Sequence, residues 1–290
     1  MRPVVVVGDL MVDVVARMEA PLAVGSDTPA RISTRPGGSA ANVAAWLGEA
    51  GVPVTLVARA GDDPAARRAL DGLERHGVRT AVALDRGAPT GTCVVLVGPD
   101  GERSMLPDPG ANALLRAKDL PGDAFAAGAH LHLTGYALLR AGPPREAALA
   151  ALRRARASGM TISVDPSSAA PLRRLGAARF LELAGHPDLL LPNRDEAGVL
   201  AGEGDPGVAA RALAAHAREV VVTLDAAGAL WTDGRVTLDA PAAAVPDGVT
   251  DSTGAGDAFA AGFLAAWLDG APPGGALQAG NALARRALVV

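Results

Sequence analysis

Aromatic residues and cysteine are almost missing from this chain. Phe, Trp and Tyr make up 3% of its 290 residues, with one tyrosine in all, and 27 basic side chains face 31 acidic ones for a net charge of −4. Nucleic acids are usually met by a basic face with stacking aromatics, so the composition argues against that class of partner. The one cysteine, Cys93, excludes an internal disulfide and a four-cysteine zinc site, and fits a reducing compartment. Long apolar runs are missing too. Val4–Val7 begins one, but Asp9 and Asp13 interrupt it before the core of an export signal could form. The uncharged run from Ala124 to Leu139 is shorter than the ~18 to 20 residues of a membrane span and carries His130 and His132. A soluble cytoplasmic protein is the expectation.

What the chain does have is a repeated alternation. Val4–Val7, Val54–Ala58, His130–Thr134, Thr161–Val164, Asp188–Leu191 and Glu219–Leu224 are short and apolar almost throughout, which predicts strands covered on both faces. Ala40–Ala50, Pro64–His76 and Pro144–Ser158 have amphipathic spacing and end before a glycine, which predicts helices. Strands alternating with helices imply a mostly parallel, doubly wound sheet. Two segments break the pattern. Val14–Arg35 has no helical period, and Cys93–Val97 and Glu102–Leu106 flank the turn Gly98-Pro99-Asp100-Gly101. They predict a small extra β-sheet, either a cap over a site or a plain exposed hairpin.

The chemistry concentrates in two glycine-bearing stretches. Asp251-Ser252-Thr253-Gly254-Ala255-Gly256-Asp257 precedes the uncharged segment Ala258–Leu268, read as a buried helix. Small residues there let a ligand approach the backbone, and the first amides of a helix lack intrahelical partners and favour anions. Asp257 beside such an anion pocket has the placing of a base that deprotonates an attacking hydroxyl. The plainer alternative is a turn in which Asp257 only satisfies free amides. The second stretch, Gly37-Gly38-Ser39-Ala40-Ala41-Asn42, opens another helix, where Asn42 offers donors and acceptors to hydroxyl groups, with Ser39 as an ordinary cap in the plainer alternative. Asp9 and Asp13 follow the first strand, where open α/β sheets bind ligands, and either suits sugar hydroxyls or a loop cap. His130 and His132 share a strand face, but without a third ligand they read as core histidines.

Taken together, Gly37-Gly38-x-x-x-Asn42 and Asp251-Ser-Thr-Gly254-Ala255-Gly256-Asp257-Ala-Phe259 resemble the two signatures of the ribokinase-like (PfkB) carbohydrate kinases. The resemblance covers nearly the whole chain. It implies one ribokinase-like domain over residues 1–290, a three-layer α/β/α sandwich with a mostly parallel central sheet and a small β-sheet lid from about 14–35 and 92–108. It implies ATP, magnesium and a sugar or nucleoside hydroxyl. By position, Asp257 matches the catalytic base and Gly254, Ala255 and Gly256 the anion hole. Gly37, Gly38, Asn42, Asp13 and, more weakly, Asp9 match sugar-holding positions, and Asn112 is similar to a residue beside the substrate pocket. Asn193-Arg194-Asp195-Glu196 looks like the Asn-x-x-Glu element that organises magnesium and phosphates, with Glu196 acting through water. Thr223, Asp225 and Gly228 resemble the nucleotide-site turn, and Asn281 falls where the family lines the adenine. Asp251 and Thr253 match part of a monovalent-cation site, which leaves potassium open.

The departures from the family pattern bear on substrate. Asp225 stands where glycine is usual, Ser39 where ribokinases often carry lysine, Met11 where they carry asparagine, and Tyr136 near a sugar-binding glutamate position. Ribose is therefore not the safest acceptor. The expectation is an ATP-dependent sugar kinase acting on a hydroxyl, with a nucleoside kinase or a non-catalytic sugar or nucleotide sensor as alternatives. An exposed edge of the lid sheet offers a route to a homodimer.

Overall fold

The computed structural model describes residues 1–244 and 253–289. Its strands are β1 (Val4–Val7), β2 (Met11–Met18), β3 (Ala30–Gly37), β4 (Val54–Gly61), β5 (Val78–Asp85), β6 (Gly91–Val97), β7 (Arg103–Asp108), β8 (His130–Thr134), β9 (Thr161–Asp165), β10 (Leu189–Leu190), β11 (Glu219–Thr223), β12 (Ala229–Thr232) and β13 (Thr237–Ala240). Nine form a central sheet in the order β13-β12-β11-β10-β9-β8-β1-β4-β5. It is parallel from β11 to β5, and only β12 and β13 pair antiparallel at one edge.

Alternation along the strands builds three layers. Val5 and Val7 point into one core with Leu131, Leu133 and the helix Pro143–Ala157, while Val4 and Val6 point into the other with the helices Ser39–Glu49 and Ala255–Leu268. Both faces are buried, which is why these strands read as continuous apolar runs. The predicted helices are found as Ser39–Glu49, Pro64–Arg75 and Pro143–Ala157. Sequence reading missed β5, β12 and β13, and the helices Ala169–Leu175, Ala177–Ala184, Arg194–Ala201, Pro206–Leu213 and Pro273–Val289.

The remaining four strands form a smaller sheet in the order β3-β2-β6-β7. It is wider than the segments 14–35 and 92–108, because β2 starts at Met11 and runs in register from Met11 opposite Gly37 to Met18 opposite Ala30. Asp13 consequently sits on this sheet, opposite Arg35 and Cys93, rather than in a loop beyond β1. No helix among the described residues is long and apolar enough to cross a membrane.

Candidate active site

Connections leaving the carboxyl ends of β1, β8, β9, β10 and β11 meet the smaller sheet around a cavity of about 780 Å³. Asp9, Asp13, Gly38, Ser39, Asn42, Asn112, Asn193, Glu196, Thr223, Thr253, Gly254, Gly256 and Asp257 all line it. Residues scattered over most of the chain therefore converge. Gly37, Asp225, Gly228, Ala255 and Asn281 do not line it, and Asp251 lies outside the described residues.

Asp257 occupies the first turn of the helix Ala255–Leu268, after Gly254 in the left-handed region at φ 81°. The first intrahelical bond is donated by Ala258 to Gly254, so the preceding amides have no carbonyl within the helix to serve. The Asp257 carboxylate accepts from the Ser39 hydroxyl at 2.7 Å and the Asn42 amide at 2.9 Å, which joins the starts of two helices through one side chain. Burial and the nearby charges of Asp165 and Asp9 push this carboxyl up to about 7, against the two hydrogen bonds. A Cβ on Gly256 would meet nothing within 4 Å, so the helix start is open to a ligand.

The two glycines before the helix Ser39–Glu49 are required by close neighbours, and Gly38 also lines the cavity. A Cβ on Gly37 would overlap the Asp13 carboxylate, and one on Gly38, at φ 96°, would come 2.8 Å from the Asp9 carbonyl. Gly38, not Ser39, is the residue before the helix. The cap comes from a distance: Asp9 accepts from the Ser39 amide at 3.1 Å and the Ala40 amide at 3.3 Å, with the Thr134 hydroxyl at 3.4 Å. Asn112 is likewise a brace, accepting from the Leu10 amide at 3.0 Å and donating to the Leu10 and Pro109 carbonyls.

Asn193 and Glu196 form a reciprocal cap on the helix Arg194–Ala201. The Asn193 side chain accepts from the Glu196 amide, and Glu196 accepts from the Asn193 amide, each at 2.9 Å. Asn-x-x-Glu is thus also a capping pattern. Burial, with the Asp195 and Asp257 charges, pushes Glu196 up to about 7. Asp165, at the end of β9, lines the same cavity and is held well above the ordinary carboxylate range by burial and by Glu196. It was missed in the sequence, although its place at the carboxyl end of a parallel strand is where such sites lie.

On the far side, Asp225 takes φ 53°, a left-handed conformation that an aspartate tolerates in place of glycine. A Cβ on Gly228 would overlap the Ala240 carbonyl, and Asn281 donates to the Ala240 and Pro241 carbonyls at 3.2 and 2.9 Å. Thr253 accepts from Arg103 of the smaller sheet at 2.9 Å, tying that sheet to the loop before Asp257. No group of three or more His, Cys, Asp or Glu able to hold a metal occurs among the described residues. His130 and His132 are buried in the core, linked through the Ser163 hydroxyl at 2.7 and 2.8 Å.

The sequence model of the pfkB family carbohydrate kinases matches residues 1–288. The chain belongs to this family. It is an ATP-dependent carbohydrate kinase with the ribokinase-like fold. An ATP-dependent ribose-1-phosphate kinase of Halopiger xanaduensis is 33% identical over 259 residues, 85% of this chain and 78% of that protein. The adenosine kinase structure from Sinorhizobium meliloti superposes with a TM-score of 0.88 at 27% identity, covering 98% of this chain and 92% of that one. A fructokinase double mutant from Vibrio cholerae O395, bound to fructose, ADP and potassium, superposes with a TM-score of 0.83 at 26% identity, covering 100% and 93% of the two chains. These relatives agree on phosphoryl transfer and differ in acceptor.

Proposed function

We propose that this kinase transfers the γ-phosphoryl group of ATP to a primary hydroxyl of a small carbohydrate, with Asp257 as general base and Gly254, Ala255 and Gly256 as the anion hole. The observation that carries this is the Asp257 carboxylate, fixed by Ser39 and Asn42 at an open helix start on the cavity wall. A carboxyl titrating near 7 takes a proton from an alcohol in the transition state and returns it readily, which suits a base working at neutral pH. The acceptor oxygen forms its bond to the γ-phosphorus as the bond to the ADP oxygen breaks, and the hydroxyl proton goes to Asp257. The helix-start amides face the charge that spreads over the moving phosphoryl oxygens.

The acceptor lies between Asp257 and the smaller sheet, beside Asp13, Asn42, Asn112 and Met11, with Asp9 holding the helix start in place. The nucleotide lies toward Asn193, Thr223 and the Asp225–Gly228 turn, with Asn281 supporting the wall behind it. The smaller sheet acts as a lid that excludes water, with Arg103 and Thr253 as its latch.

No cluster of three acidic or histidine side chains among the described residues grips a metal directly, but the oxygen donors of Glu196, Asn193 and Asp165 suit magnesium carried with its waters. Glu196, backed by Asn193 and Asp165, would hold the ion largely through waters and phosphate oxygens, as a hard cation prefers. When bound, the ion neutralises charge on the transferring phosphates. Thr253, with Asp251, is the candidate for a potassium site. Ile32, Met105 and Leu106 are exposed on the outer strands of the lid, which supports pairing with a second copy there. Light scattering at micromolar concentration is expected to give a dimer, and a monomer removes that part of the reading.

The test is ATP consumption with magnesium across ribose, fructose, sugar acids, sugar phosphates and nucleosides, with and without potassium, using Asp257→Asn as the blank. Turnover with one acceptor that is lost in the blank is expected. A nucleoside preferred over every sugar would move the reading to a nucleoside kinase, with Tyr136, Met11 and Leu115 as walls for the base.

A further inference from the structure

Two exposed arginines stand on the wall of the catalytic cavity. Arg140 closes the short helix Tyr136–Leu139 that follows β8, and Arg174 lies in the helix Ala169–Leu175 that follows β9. The two helices touch each other, and both arginines line the cavity. Neither guanidinium has a hydrogen bond or an ion pair among the described residues. Arg173, beside Arg174, is exposed and unpaired as well but does not line the cavity, whereas other arginines nearby are tied down. Arg145 donates to the Leu138 and Leu139 carbonyls at 2.7 and 3.0 Å, and Arg154 and Arg156 are tied to carbonyls as well.

Among the described residues the other charged groups that line this cavity are acids: Asp9, Asp13, Asp165, Glu196 and Asp257. Arg140 and Arg174 pair with none of them, so the positive charge stands apart from the acidic floor. Two guanidinium forks left free on one wall match the planar, multi-oxygen geometry of a phosphate or carboxylate. The strand order sets Arg140 on the acceptor side, and Arg174, which follows β9 between β8 and β10, joins it through the packing of its helix on Tyr136–Leu139. β8 lies directly beside β1, which brings in Asp9, whereas Asn193 and Thr223 follow β10 and β11 on the nucleotide side. Tyr136, on the same short helix as Arg140, lines the cavity, and its phenol offers a further donor.

We propose that the acceptor is an anionic sugar, its phosphate or carboxylate held by Arg140 and Arg174 while Asp257 takes the proton of the hydroxyl at the other end. This rests on the acceptor side assigned under the proposed function, and it sets the substrate class that a general sugar-kinase assignment leaves open.

The experiment compares matched acceptors with the full chain, magnesium and ATP: ribose with ribose 1-phosphate, fructose with fructose 1-phosphate, and glucitol with gluconate. The phosphate and carboxylate arms separate the two sources of the anion. At least one anionic member is expected to exceed its neutral partner in kcat/KM by about tenfold or more, the effect of one charge-assisted contact. Arg140→Gln and Arg174→Gln are each expected to raise the KM of that acceptor by about tenfold to a hundredfold. The ATP KM should hold, and Arg140→Lys should recover part of the loss. Preference for the neutral member of every pair, an acceptor KM insensitive to both Gln variants, or a change confined to the ATP KM overturns the inference while the kinase reading stands. Absence of turnover with every acceptor by a folded chain that binds ATP overturns both.

Discussion

The two ends of the central sheet make an instructive pair. At the amino end, a cavity of about 410 Å³ is lined by Arg2, Arg218, Glu219, Trp231 and Trp267. Apart from the exposed Arg2, its charges are settled. Glu219 accepts from both indoles, at 2.7 and 3.1 Å, and pairs with Arg218, which also lies over the Trp267 ring. At the carboxyl end, Asp9, Asp165, Glu196 and Asp257 share one cavity, and none has an ion pair among the described residues. Concavity is common to both ends. The difference is that one end balances its charges internally while the other leaves acids near neutrality and amides open, which is the condition for binding and proton transfer.

The comparison breaks most sharply at Asp257. Asp257→Asn is expected to lower kcat by ~10² to 10⁴ while acceptor and nucleotide still bind, which calorimetry reads independently of turnover. Next comes Gly37→Ala, which keeps every polar group but drives a methyl into the Asp13 carboxylate. Displacing that group by about an ångström should cost ~10²-fold in kcat/KM for the acceptor, with little change in the ATP KM. Parity with the parent would place Asp13 outside the acceptor site.

At the opposite end the prediction inverts. Glu219→Ala strips the partner from two indole N–H groups and should lower stability by about 1–3 kcal/mol in denaturant titration, leaving kcat/KM as it was. A loss of activity in a fully folded Glu219→Ala chain would mean the amino end is not the inert one.

The smallest effect is a pH slope. Glu196 titrates near 7 in the folded chain against 4.5 normally, so the native state holds more protons between those values and stability falls as pH rises through that window. His130 and His132 titrate near 3 and 4 against 6.5, so the native state holds fewer protons there and stability falls as pH drops below 6.5. The two contributions oppose each other. Asp257, raised in the same way, adds to the first contribution; Glu196→Gln removes the share of Glu196, and the loss of stability toward acid pH should then steepen, as read from denaturation midpoints between pH 4.5 and 7.

The sequence made the strands and much of the site legible because both rest on local patterns. Uninterrupted Val and Leu runs announce strands covered on two faces, and Gly254-Ala255-Gly256-Asp257 announces a ligand-facing helix start. The parts it concealed depend on pairing across the chain. β12 and β13 are four-residue antiparallel edge strands that become recognisable only against β11. Asp9 reads as a ligand or a loop cap, and only the fold shows that it caps the distant helix Ser39–Glu49, while Asn193 with Glu196 carries a cap in the same letters as a phosphate-organising motif. Asp165 gave no motif at all. Only the order of strands places it beside Glu196.

The most direct test of the central claim is the pH dependence of kcat/KM for the best acceptor, measured for the parent and for Asp257→Asn. The account predicts an acid limb with an apparent pKa near 7 in the parent, belonging to the coupled acids around Asp257, and a flat residual rate in the variant. A variant that keeps the parent's limb, or nearly its full rate, would contradict the assignment of Asp257 as the base.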